Sequence, residues 1–176
     1  MIMKRILFLS CILIIIVSCD FHNNTYDEFL SPAEVRTRAL YYAKKYIDEG
    51  AEYEWGGQDP LPKKLVVDCS GLIIRCYEYA TADYGYFLLF EDTTSYGLKN
   101  YCAELNLDNV EPGDIIFMGD NAISHVALFV NRENGFITFI DSTYKPEEQI
   151  NGVSERSYPE SDPRFLCFGR LWIWKK

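Results

Sequence analysis

Apolar residues recur at helical spacing in the first half of the chain and alternate in strand fashion towards its C-terminal end. Val35, Ala39, Tyr42, Ala43, Tyr46 and Ile47 share one helix face, and Gly50 suits the stop. Ser31-Pro32-Ala33-Glu34 precedes them, which predicts Ser31 as N-cap, Pro32 at the first helical position and Glu34 completing a capping box. Ala51 to Lys64 holds two glycines and two prolines and reads as a loop. Leu65 to Val67 makes a short extended approach to Cys69, and Gly71 to Ala80 is apolar enough for a buried helix. Tyr84, Tyr86, Phe87, Leu88, Leu89 and Phe90 form an aromatic cluster suited to core or loop packing, followed by a predicted helix from about Ser95 to Leu105. Strands are predicted at Asp114–Met118, Ser124–Val130, Phe136–Asp141 and Cys167–Trp174, separated by Pro112-Gly113, Gly119-Asp120-Asn121 and Asn134-Gly135. Helices first and antiparallel strands afterwards indicate an α+β fold.

The N-terminus reads differently. Lys4 and Arg5 precede an apolar run, Ile6 to Val17, that is shorter than the roughly 20 residues a membrane span needs. It ends in Ile16-Val17-Ser18-Cys19, which resembles a bacterial lipobox, so residues 1–18 are expected to be a signal peptide and Cys19 the acylated first residue. An ordinary secretion signal with an incidental cysteine is the alternative. Two or three acyl chains, palmitate among them, would hold the protein stably at a membrane. Residues 19–30 are expected to be a tether and residues 31–176 a single domain.

The formal net charge of −9 becomes more negative once Lys4 and Arg5 leave with the signal, which argues against nucleic-acid binding. Cysteine usage needs sorting: Cys11 leaves with the signal, Cys19 is acylated, and Cys69 is wanted free. Cys76, Cys102 and Cys167 are an odd remainder, expected to be free apolar fillers, with one disulfide among them still open.

Chemistry concentrates on two residues. A cysteine nucleophile needs a base near neutral pH, and beyond His22, which closely follows the signal, His125 is the one imidazole in the chain. Cys69 opens a helix whose free amides favour a thiolate and offer an oxyanion site. A structural cysteine at a helix start is the alternative. A third group should orient the imidazole, and Asp141, at the end of Phe136-Ile137-Thr138-Phe139-Ile140-Asp141, is the candidate. A three-residue loop, Arg132 to Asn134, with Gly135 as bulge residue would set Asp141 directly opposite His125. A two-residue Asn134-Gly135 turn would instead set Asp141 opposite Leu128, on the wrong face. Asp141 would then be only a strand-end turn residue.

Tyr53-Glu54-Trp55-Gly56-Gly57, Asp68-Cys69-Ser70-Gly71, Pro112-Gly113-Asp114-Ile115-Ile116-Phe117 and Ser124-His125-Val126-Ala127 stand in the order found in NlpC-type cell-wall cysteine peptidases. The chain resembles that family over roughly residues 31–174. The resemblance implies a compact papain-like fold and cleavage of amide bonds in peptidoglycan stem peptides, typically between D-glutamate and a diamino acid. It implies Cys69 as nucleophile, His125 as base and Asp141 as the third polar residue, although many members carry histidine there. Tyr53 corresponds to a cleft tyrosine. Asp68 and Ser70 resemble residues that hold a stem peptide's α-amine; a helix cap by Asp68, with Ser70 satisfying a backbone amide, is a compatible reading. Gly56 and Gly57 are expected to allow close backbone approach.

The expectation is a monomeric, lipid-anchored hydrolase of the cell envelope, acting on peptidoglycan stem peptides or muropeptides without cofactor or metal. A thiol amidase or acyltransferase, and a catalytically silent wall-binding lipoprotein, are the competing readings. The aromatic insertion at residues 84–90 is where the cleft would be reshaped for another substrate.

Overall fold

The computed structural model describes residues 26–61 and 65–175. The expected signal peptide, Cys11, Cys19, His22 and most of the tether lie outside them. Among the described residues no helix is long and apolar enough to cross a membrane.

The first helix, α1, spans Ala33–Asp48 and buries Val35, Ala39, Leu40, Ala43 and Tyr46. Its start differs from the predicted capping box. Pro32 is the N-cap and no side chain caps the helix, because Ser31 is drawn into the sheet: its N–H donates to the Leu171 carbonyl at 2.9 Å and its buried hydroxyl has no partner among the described residues. Gly50, at φ 68°, turns the chain out of the helix. α2 spans Cys69–Asp83 and is buried along most of its length, with Leu72, Ile73, Ile74 and Tyr77 inaccessible. Each such side chain contributes about 1.5–3 kcal/mol by leaving water.

Among the described residues seven strands form one antiparallel sheet: β1 (Asp27–Leu30), β2 (Cys102–Leu105), β3 (Ile115–Met118), β4 (His125–Glu133), β5 (Phe136–Lys145), β6 (Ile150–Pro159) and β7 (Phe165–Lys175). They run in the order β1-β7-β3-β4-β5-β6, with β2 also on β7. Three elements depart from the sequence reading, two of them by pairing with the distant β7 and the third by pairing with its neighbour β5. The last residues of the expected tether form β1, paired with Trp172–Lys175 of β7. The predicted Ser95–Leu105 helix stops at Leu98 (α3, Ser95–Leu98), and Cys102–Leu105 joins β7 instead. β6, unassigned in the sequence, pairs with β5 along its whole length.

Alternate residues of β3 and β4 feed two cores. Ile115, Phe117, Val126 and Leu128 meet the helices, whereas Ile116, Met118, Ala127 and Phe129 form a second cluster with Ile137, Phe139 and Phe168. Pro112-Gly113-Asp114 pins the middle of β4, since Gly113 and Asp114 exchange backbone hydrogen bonds with Phe129, both 2.8 Å. The aromatic cluster serves packing: Tyr86 meets Phe29 edge-on and Phe90 stacks on Tyr101. Cys69, Cys76, Cys102 and Cys167 are free thiols.

Candidate active site

Cys69 is held by a knot of backbone contacts at the head of α2. Asp68 caps the helix, its Oδ1 accepting from the Gly71 N–H at 2.7 Å while Oδ2 accepts from the Gly56 N–H at 2.9 Å. Ser70 donates to Asp68 Oδ1 at 2.9 Å rather than serving a backbone amide. The glycine-rich loop lies directly on this helix start: a Cβ on Gly71 would sit 2.2 Å from the Gly57 carbonyl oxygen. Gly57 is itself closely packed against Val66, but Gly56 has open space around it and is needed for its φ of 75°.

His125 opens β4, and its Nε2 lies 2.6 Å from Asp141 Oδ2. The register that brings them together is neither of those considered from sequence. The hairpin turns on two residues, Asn134 and Gly135, both at positive φ, and Glu133 pairs with Phe136. That turn alone would put Asp141 on the wrong face. A β-bulge at Val130 then slips the pairing by one, so that Leu128 faces Ile140 and Asp141 returns to the face of His125, diagonal to it rather than opposite. Asp141 is not at a strand end; β5 continues to Lys145, and the carboxylate is fully buried.

Two neighbours on β5 lock the halves of the site. Asp141 holds His125, and Ser142, on the other face, donates to the Val67 carbonyl at 2.6 Å, two residues before Cys69. Behind Asp141, Arg156 of β6 grips the carboxylate with two nitrogens, Nη2 on Oδ2 and Nε on Oδ1 at 3.0 Å. Sequence reasoning missed Arg156; the alternation Val153, Glu155, Ser157 against Ser154, Arg156, Tyr158 was the available signal.

Burial lowers the His125 pKa, but hydrogen bonds from Asp141 and Cys69 and their negative charge outweigh it and raise it to about 9. With Nε2 taken by Asp141, Nδ1 is the ring nitrogen left for the thiol. Burial, then the charges of Cys69 and Asp68, raise the Tyr53 phenol.

Cys69 and His125 face one cleft of ≈ 460 Å³, with Tyr53, Asp68 and Ser70 in its walls. Asp141 stands behind His125, outside the lining. The segment after the aromatic cluster, Asp92 to Ser95, supplies a further wall, anchored where Gln58 Nε2 donates to Asp92 at 2.6 Å.

The sequence matches the model of the NlpC/P60 family over residues 50–161. The chain belongs to the NlpC/P60 family. Its fold is the papain-like α+β fold of that family's solved domains. An NLP/P60-family protein of Staphylococcus aureus, described as similar to lipoprotein, shares 22% identity at a TM-score of 0.58. That alignment covers 81% of this chain and 43% of the staphylococcal one, so this chain spans less than half of that relative. The peptidoglycan hydrolase RipB of Mycobacterium tuberculosis shares 21% identity at a TM-score of 0.54, over 80% of this chain and 68% of RipB. RipD of the same organism, described as a non-catalytic NlpC/p60 domain protein adapted to peptidoglycan binding, shares 17% at 0.50, over 79% and 98%. No curated protein matches. At these identities the likeness to solved structures is one of fold.

Proposed function

We propose that this NlpC/P60 protein is a cysteine endopeptidase that hydrolyses peptidoglycan stem peptides, at the bond between D-glutamate and the diamino acid. The observation that carries the reading is His125, held by buried Asp141, sharing one open cleft with Cys69 at the head of α2. The Cys69 thiolate attacks the scissile carbonyl carbon, and the oxyanion forms beside the Cys69 amide at the helix N-terminus. The C–N bond breaks as His125 passes its proton to the departing amine, leaving a thioester. Water then gives its proton to His125 and its oxygen to the acyl carbon, which releases the acid and restores the thiolate–imidazolium pair. Asp141 holds the ring in place and stabilises its charged form. Asp68 and Ser70, beside the thiol, face the amine end of the peptide, and Tyr53 lines its path.

The same proposal places the protein as a monomer in the cell envelope, exported by residues 1–18 and anchored through Cys19. RipD supports the competing reading of a silent wall-binding domain, but the cleft here carries the full set of thiol, imidazole and carboxylate. Incubation with defined stem peptides followed by mass spectrometry separates them. New fragments from wild type and none from Cys69→Ala are expected; acyl exchange without hydrolysis would favour the acyltransferase. Cleavage surviving Cys69→Ala would sink the mechanism.

A further inference from the structure

A second cleft, of ≈ 170 Å³, opens on the far side of His125. It shares Ser124, His125 and Thr143 with the main cleft, but Cys69, Tyr53, Asp68 and Ser70 do not reach it. Its other walls are cationic, with Lys145 of β5, Arg156 of β6 and Arg164, against one acid, Asp120. Each cation is paired with an acid just outside the lining, Glu148, Asp141 or Asp162, so what the cleft can offer an anion is the hydrogen-bond donors those pairs leave over.

The donors there are not used up. Lys145 Nζ carries three N–H bonds and spends two, on Glu148 at 3.0 Å and the Tyr158 hydroxyl at 2.8 Å. Arg164 commits Nε and Nη2 to Asp162, at 2.9 and 2.7 Å, while its Nη1 makes no hydrogen bond among the described residues. The Tyr158 oxygen accepts from Lys145 and from Arg156 Nη1, at 2.6 Å, so both lone pairs are occupied. Its own proton finds no acceptor among the described residues. Arg156 itself is consumed by Asp141 and Tyr158. An ammonium, a guanidinium and a phenol thus converge with spare donors, which suits an anion.

The direction of catalysis says which anion. In the hydrolysis proposed above, on which this inference rests, the departing amine takes its proton from His125, so the departing fragment lies on the His125 side of the sulfur. The space that borders His125 and not Cys69 is this second cleft, and a peptide fragment leaving through its amine ends in a carboxylate. The geometry points to Lys145, Arg164 and Tyr158 as a carboxylate subsite for the leaving fragment. Its volume is comparable to one residue, so the subsite selects stem peptides that end in a free carboxylate shortly after the cut, over those continued through a cross-link.

The test uses two synthetic stem peptides, identical except for a C-terminal carboxylate or carboxamide. Wild type is expected to favour the acid about tenfold in kcat/KM, against the repulsion of its own net charge. In Lys145→Gln/Arg164→Gln, and in Tyr158→Phe, which keeps the ring and its packing, that ratio should fall towards one. A wild-type ratio near one, with both peptides cut, overturns the subsite and leaves the hydrolase. Calorimetric binding of both peptides to Cys69→Ala gives a readout that needs no turnover. If neither peptide is cut yet the acid binds more tightly, and Tyr158→Phe abolishes the difference, the subsite stands while the hydrolase fails. Equal binding of acid and amide overturns the subsite in either case.

Discussion

Asp141→Asn keeps the shape of the buried side chain while removing its charge and one of the two acceptors shared by His125 and Arg156, and the pH dependence separates what the charge does to His125 from what the lost hydrogen bonds do. In the native arrangement the imidazolium is held to about 9, against an ordinary value of 6.5 and despite burial that pulls the other way. Taking the ordinary imidazole value of 6.5 for the ring without the carboxylate sizes the effect. At pH 8 a group with a pKa of about 9 is roughly 90% protonated, and one at 6.5 is about 3% protonated, a roughly thirtyfold loss of the species that can protonate a leaving amine. At pH 6 the same two groups differ by less than about 1.5-fold. Stem-peptide hydrolysis by the variant, relative to wild type, should therefore fall about twentyfold or more between pH 6 and pH 8, with the high-pH limb of kcat/KM displaced downward. A loss of equal size at both pH values would mean that Asp141 acts only by positioning, and the electrostatic reasoning would be wrong.

Three further outcomes follow from the packing. Arg156→Gln leaves Asp141 buried with its principal counter-charge gone, and denaturant unfolding should report a loss of about 3–5 kcal/mol. Gly71→Ala gains up to about 1 kcal/mol of helix propensity, but its Cβ would meet the Gly57 oxygen at 2.2 Å, so the clash wins. Its melting temperature should drop, and peptide turnover should drop with it as the glycine loop is pushed off Cys69. Tyr77→Phe removes a buried hydroxyl that donates to the Gly113 carbonyl at 2.8 Å, beside the turn that pins β4; a stability loss of about 1–2 kcal/mol is expected by thermal unfolding.

Where chemistry follows from neighbouring residues, it was readable from the chain. Asp68 caps the helix three residues before Gly71, and the apolar period marked both long helices. Four motif blocks in order pointed to Cys69 and His125, which share the cleft. Local signals failed where a distant strand competed for the backbone. Ser31 carries a good capping side chain, yet its N–H is spent on β7 and its buried hydroxyl has no partner among the described residues. Cys102–Leu105 looked helical and became a strand on the same β7. The insertion's aromatics read correctly as packing, but nothing nearby in sequence told that Asp92 to Ser95 would wall the cleft.

The chain by itself determined the chemistry on offer: one thiol at a helix start, one imidazole at a strand start, and a period that commits each to its element. Tertiary structure alone decided the partnership with Asp141. Side chains alternate every residue along a strand, so a single unpaired position, Val130, reverses which face meets the next strand, and Val130 carries no local mark that it will bulge. The pairing of β5 with β6 set Arg156 behind the carboxylate, and the folded sheet gathered Lys145, Tyr158 and Arg164 behind the ring. Those contacts depend on the register between strands, which is settled by the fit of whole faces rather than by any short stretch of residues.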